Sequence, residues 1–150
     1  MEGFGLNARA VPTSRWSPAR LFLLVTSIVH VPLGLIGFAY DRTFPVGADA
    51  AQSQGSALVF GILETNGWHT LGALLVGAVA LFFTINPARA RQAALAIGAP
   101  HVALTVSLMI WEPSTFWIAS NAADQVIHSF SAIGGLVSGF ATRKNPSAPV

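Results

Sequence analysis

The stretch LFLLVTSIVHVPLGLIGFAY, from Leu21 to Tyr40, runs for 20 residues without a formal charge. At about 1.5 Å of rise per residue, a helix of that length covers the roughly 30 Å hydrocarbon core of a bilayer. Two further uncharged stretches, Thr65 to Ala88 and Gln92 to Trp111, have the same character. A fourth, Asn121 to Thr142, is interrupted only by Asp124 near its start. The pattern predicts an all-α fold, an integral membrane four-helix bundle with spans at about 21–40, 66–86, 92–111 and 120–141. The membrane domain then occupies 20–142, between a polar cytoplasmic segment, 1–19, and a short cytoplasmic tail, 143–150.

Composition points the same way. Hydrophobic residues make up 53% of the chain and charged residues 9%, whereas a soluble domain covers its surface with roughly 25% charge. The absence of cysteine excludes disulfides, thiolate metal sites and cysteine nucleophiles. A pI near 9.9 invites a nucleic-acid reading, but the cations sit at the ends of apolar runs and form no basic stripe, so no nucleic-acid partner is expected. The bilayer itself is the expected partner, with a homo-oligomer or a second membrane protein as further candidates.

The charges also orient the chain. Arg9, Arg15 and Arg20 precede span one, Arg89 and Arg91 lie between spans two and three, and Arg143 and Lys144 follow span four. Asp41, Asp49, Glu64 and Glu112 fall in the opposite connections, with Arg42 the one exception. The positive-inside rule then places both termini in the cytoplasm and the protein in the cell membrane. Ala48-Asp49-Ala50 looks like a signal-peptide cleavage site, but the preceding apolar run is about twice the usual length, so span one is expected to remain as an anchor. Trp16, Tyr40, Trp68, Trp111 and Trp117 lie near span ends, as an aromatic belt requires. Within the long connection from Asp41 to Glu64, the apolar run Ser56 to Leu63 is too short to cross and is expected at the interface.

Spans two and four share a pattern. Asn66-Gly67-Trp68-His69 opens one and Asn121-Ala122-Ala123-Asp124 opens the other, 55 residues on. Small residues follow on the same face, Ala73 and Gly77 in span two and Ala132 in span four, with His128 at the position equivalent to Ala73. Spans one and three each carry a mid-span histidine near a proline, His30 with Pro32 and His101 with Pro100. Two duplicated helical hairpins would produce this.

On these residues the chain resembles the bacterial four-helix membrane proteins known as domain of unknown function 4383, over about residues 20–141. Asn66, His69 and Gly77 match the family's span-two pattern, in which Ala73 stands where a second histidine is usual. Asn121, Ala123, Asp124 and His128 fit its span-four pattern. The resemblance implies the fold and a membrane location, and no activity.

His30, Asn66, His69, His101, Asn121, Asp124 and His128 together form a candidate polar pocket. An ionisable group inside a span costs about 2.5–3.5 kcal/mol on insertion scales, so such groups face the bundle interior and mark function by default. His30 and His101 lie about ten residues from an outer end, or roughly 15 Å deep. Asn66 and Asn121 read first as helix N-caps. Asp124 reads equally as a partner of the helix dipole or as the group that orients His128, one turn further on.

For His30, His101 and His128 the first reading is hydrogen bonding between helices, worth about 0.6 kcal/mol each in membrane bundles. A proton or solute pathway is one alternative, and ligation of haem or a metal through the same three histidines another. No spacing demands a cofactor, and no metal site is assigned. Gly34, Ala73, Gly77, Gly135 and Gly139 are the expected helix-packing positions. Nucleotide loops, nucleophile elbows and zinc-protease helices are absent, which disfavours an enzyme. The sequence thus reads as a non-enzymatic structural or accessory membrane protein. The alternative is a histidine-based redox, haem, small-solute or proton-transport protein with an outward-facing polar pocket.

Overall fold

A computed structural model describes residues 16–52, 57–111 and 117–142. Arg9, Arg15, Glu112, Arg143 and Lys144, used above to orient the chain, lie outside the described residues. The protein is mostly helical: α1 (Pro18–Tyr40), α2 (Ala48–Gln52), α3 (Gly67–Ile85), a 3-10 turn (Pro87–Arg89) leading into α4 (Ala90–Ile110), and α5 (Ala122–Ala141). Three segments, Pro18–Tyr40, Gly67–Ile85 and Pro87–Ile110, are long and apolar enough to cross a membrane. The 20 residues of α5 include Asp124, Gln125, His128 and three serines, which keep it below that mark.

Local chemistry accounts for the helix ends. Ser17 caps α1 by accepting from the Arg20 backbone N–H at 3.3 Å, and Pro18 follows in the first turn, where its missing N–H costs nothing. Asn66 caps α3 and Asn121 caps α5. The α1 and α4 helices run on without a break through Pro32 and Pro100.

α1 packs chiefly along α3, and α4 along α5, while α1 also touches α4 and α5. Both main contacts are made by small residues. A Cβ added at Gly34 would lie 2.9 Å from the Leu74 backbone nitrogen, and one at Gly77 would lie 2.8 Å from that of Val31. In the other pair, a Cβ at Gly135 would lie 2.7 Å from the Gly98 Cα, and one at Gly98 would lie 2.7 Å from the Leu136 nitrogen. Backbone on backbone at this range maximises dispersion where lipid removes the usual hydrophobic drive between helices. Gly139 instead makes room for the Leu95 side chain, whose Cγ and Cδ2 would lie 2.6 Å from an added Cβ. Ala73, expected at a packing surface, lines a cavity, and Gly98 takes a packing role that its sequence surroundings gave no reason to expect.

Burial is inverted relative to a water-soluble protein. Val126, Phe130, Ile133, Val137 and Phe140 of α5 face outward, 54–70% exposed, while Asp124, His128, Ser131 and Ser138 of the same helix are buried. Likewise Leu21, Val25, Ile28 and Leu35 of α1 are exposed, and Thr26, Ser27 and His30 are inside. At one end of the molecule Ala19, Phe22, Leu23, Ala80, Ala90, Ala93, Ala94 and Ile97 form a compact apolar cluster. Arg20 ties this end together by donating to the Thr84 carbonyl at 2.8 Å, and the Ala19 N–H donates to the Thr142 hydroxyl at 2.9 Å.

At the opposite end, the connection expected to be a simple interfacial segment contains a β-hairpin, so the all-α expectation holds only for the long elements. β1 (Leu58–Val59) pairs antiparallel with β2 (Leu63–Glu64). The turn places Phe60 and Gly61 at φ of 53° and 73°, a region glycine enters freely and phenylalanine rarely. Phe60 rests edge-on against Tyr40 at the end of α1, ring centroids 6.4 Å apart.

Glycine substitutions should therefore separate by position. Gly98→Val is expected to lower stability in detergent by about 1–3 kcal/mol, because backbone rather than a flexible side chain blocks the new Cβ. Gly72→Ala, which meets nothing within 4 Å, should leave stability unchanged or raise it by up to about 1 kcal/mol. Denaturant titration followed by circular dichroism would compare the two.

A four-histidine pocket beneath the hairpin

The chain has four histidines, and the fold brings all of them together, one from each long helix. His30 of α1 meets His101 of α4 with ring centroids 6.2 Å apart. His101 lies 5.9 Å from His128 of α5, and His128 stacks on His69 of α3 at 5.5 Å. The rings line a cavity of about 140 Å³, whose remaining walls include Leu33, Val76, Leu104 and Ile127, with Glu64, Trp68 and Asp124 toward the hairpin.

The neck of this cavity is built by the starts of α3 and α5, each reaching into the segment that precedes the other. The Asn66 side chain accepts from the His69 N–H at 3.0 Å, while its amide donates to the Trp117 carbonyl at 2.8 Å. The Asn121 side chain accepts from the Ala123 and Asp124 N–H groups, while its amide donates to the Ile62 carbonyl at 2.8 Å. Each asparagine thus caps its own helix and grips the residue four positions ahead of the other cap. Neither lines the cavity, in keeping with the capping role expected of them.

His69 and Asp124 hold the third position of their helices and act as complements. His69 Nδ1 donates to the carbonyls of Glu64 and Ala119, at 2.9 and 2.7 Å. The Asp124 carboxylate accepts from the backbone N–H groups of Glu64 and Asn121, at 3.0 and 2.9 Å, completing a capping box. Both alternatives raised for Asp124 concern its own helix, whereas it also clamps the hairpin through Glu64. Glu64 itself, read from sequence as an outer-loop acid, is buried against the cavity.

The deeper histidines do not bridge helices. His30 Nδ1 donates to the Thr26 carbonyl at 3.0 Å and His101 Nδ1 to the Ile97 carbonyl at 2.8 Å, in each case one turn back in its own helix. Both nitrogens of His128 are buried without a partner. Among the described residues, no group of three or more histidine, aspartate or glutamate side chains stands ready to hold a metal ion.

Membrane-length apolar helices, an apolar exterior and a polar interior together define a helical membrane protein. The model of a family described as a domain of unknown function (DUF4383) matches residues 20–141, and the chain belongs to that family. No characterised protein and no solved structure matches it.

Removing the Asp124 carboxylate should be costly. Asp124→Ala removes the acceptor of the Asn121 N–H in the capping box and strands the buried Glu64 N–H at about 1–3 kcal/mol, so a loss of about 2–4 kcal/mol is expected. Asp124→Asn retains an acceptor and should lose less than half as much. Thermal unfolding of the two variants in one detergent checks the order.

Proposed function

We propose that the chain is a four-span protein of the cell membrane, with both termini in the cytoplasm, that binds a small ligand in a histidine-lined pocket open to the outer side. A binding role is favoured over catalysis. α5 is taken as the fourth span despite its lower hydropathy, because Asp124, His128, Ser131 and Ser138 are buried and its exposed residues are all apolar. An interior face of serine, histidine and glycine is the composition expected of a span in a bundle. The reciprocal grips of Asn66 and Asn121, and the shared intrahelical bonds of His30 and His101, support an origin by duplication of a helical hairpin.

One observation carries the choice of a pocket over a purely structural interior. Histidines kept to specify helix packing should hydrogen-bond across helices, yet His30 and His101 bond only within their own helix and His128 bonds to nothing. The four rings instead share a cavity. Beyond them, toward the other end, lies the apolar cluster around Leu23 and Ala94, which argues for a closed-ended pocket rather than a through-channel.

A chain without cysteine suits mapping by single-cysteine labelling. In intact cells, an impermeant thiol reagent should label Ala73→Cys, in the cavity wall, and should leave Ala94→Cys, in the apolar cluster, unmodified. Asn145→Cys, in the tail, should react only after permeabilisation. Protection of Ala73→Cys would refute the outward pocket, and labelling of the tail in intact cells would refute the orientation.

A further inference from the structure

Three of the four histidines are held in one tautomer. A backbone carbonyl can only accept, so the Nδ1 atoms of His30, His69 and His101, each within 3.0 Å of a carbonyl oxygen, all carry the proton. Their Nε2 atoms are then bare lone pairs, and no hydrogen bond to the described protein engages them. His128, only 7% exposed, adds two ring nitrogens with no partner. Asp124 and Glu64 line the same cavity, with the hydroxyls of Thr65 and Thr70, which bond to each other at 2.9 Å. With the bare Nε2 lone pairs of His30, His69 and His101 and the carboxyl groups of Asp124 and Glu64 in its wall, the cavity favours an electron-pair acceptor over an anion.

The same arrangement narrows the acceptor further. A neutral imidazole whose far N–H is fixed on a backbone carbonyl is the orienting contact that metal-ligating histidines typically have. Imidazole nitrogen suits zinc, copper and nickel, while sodium, magnesium and calcium prefer oxygen. Two imidazoles sharing an ion at about 2.0–2.1 Å per bond hold their centroids roughly 5–6.5 Å apart. His128 stands 5.5 Å from His69 and 5.9 Å from His101, within that range on both sides. Three donors do not surround one point in the unliganded arrangement, but His128 is the ring that no hydrogen bond holds in place, so it can turn toward an ion without breaking a hydrogen bond.

We propose that the pocket binds one divalent transition-metal ion of the zinc class, with His128 as the central ligand flanked by His69 and His101. This rests on the pocket reading above. The full chain, purified in detergent and stripped with a chelator, would be titrated with Co²⁺ at pH 7 and followed by visible absorption. One Co²⁺ per chain is expected, displaced by Zn²⁺ and unaffected by excess Ca²⁺. His128→Gln and His69→Gln, each checked for helicity, should weaken Co²⁺ binding at least 10–100-fold, the range seen when even an outer-shell partner is lost.

Bound Zn²⁺ should also raise the thermal unfolding temperature of the unmodified chain in detergent, a readout that does not depend on histidine variants folding. Absence of Co²⁺ binding, or undiminished binding in His128→Gln, overturns the metal site. A Soret band with haemin but no Co²⁺ binding overturns it in favour of haem iron. If Ala73→Cys is labelled from outside and Co²⁺ does not bind, the pocket stands and the metal falls. If Ala73→Cys is protected, the pocket reading itself has failed.

Discussion

Hydrocarbon offers no hydrogen bonds, and this constraint organises the molecule. Every polar group placed within a bilayer must find its partner inside the protein or remain costly. The long helices obey by turning their leucine, isoleucine, valine and phenylalanine outward and their threonine, serine and histidine inward. With polar side chains inside, the helices cannot be held together by burying large apolar surfaces against one another. The two principal pairs are held instead by backbone approach, at Gly34 and Gly77 in one and at Gly98 and Gly135 in the other. Thr84 and Ser138 satisfy themselves on carbonyls within their own helices, so these residues add no demand across the interface.

The two ends of the bundle solve different problems. At one end alanine and phenylalanine fill space, and Arg20 satisfies the α3 carbonyl of Thr84. At the other, the starts of α3 and α5 expose N–H groups that have no partner within the helix. Asn66 and Asn121 answer that need, and their spare amides then lock each start to the chain entering the other. Because both grips leave the asparagines at the neck, the space between the helix starts is not filled by them. It is left to His69, Asp124 and the hairpin residues Val59 and Leu63 to roof the cavity.

Much of this was readable in the sequence, for physical reasons that differ from residue to residue. Asn66 and Asn121 announce their caps because N-capping depends on three or four consecutive residues alone. The mid-helix positions of His30 and His101 followed from counting along an apolar run. Gly98 gave no such signal: its role depends on facing Gly135 across a helix pair, which no local pattern encodes. The hairpin at Leu58–Glu64 was hidden because its strands are two residues each, too short for alternation to show. Nor could the bonding of the histidines be foreseen. A histidine one turn after Thr26 or Ile97 can bond back along its helix or out across the bundle, and only the surrounding packing decides between them.

That last distinction shapes what the interior is for. An unpartnered buried imidazole is a cost, and a fold that needed only stability would have replaced His128 with an apolar residue of similar size. Ala73, in the wall of the same cavity, could have been larger and narrowed the gap, yet the space is left open. The tight glycine contacts fix the spacing within each helix pair, α1 with α3 and α4 with α5, and the space lies between the two pairs. Close packing and open cavity are therefore parts of one arrangement, in which tightly packed helix pairs place neighbouring imidazoles around one space with ring centroids 5.5–6.2 Å apart.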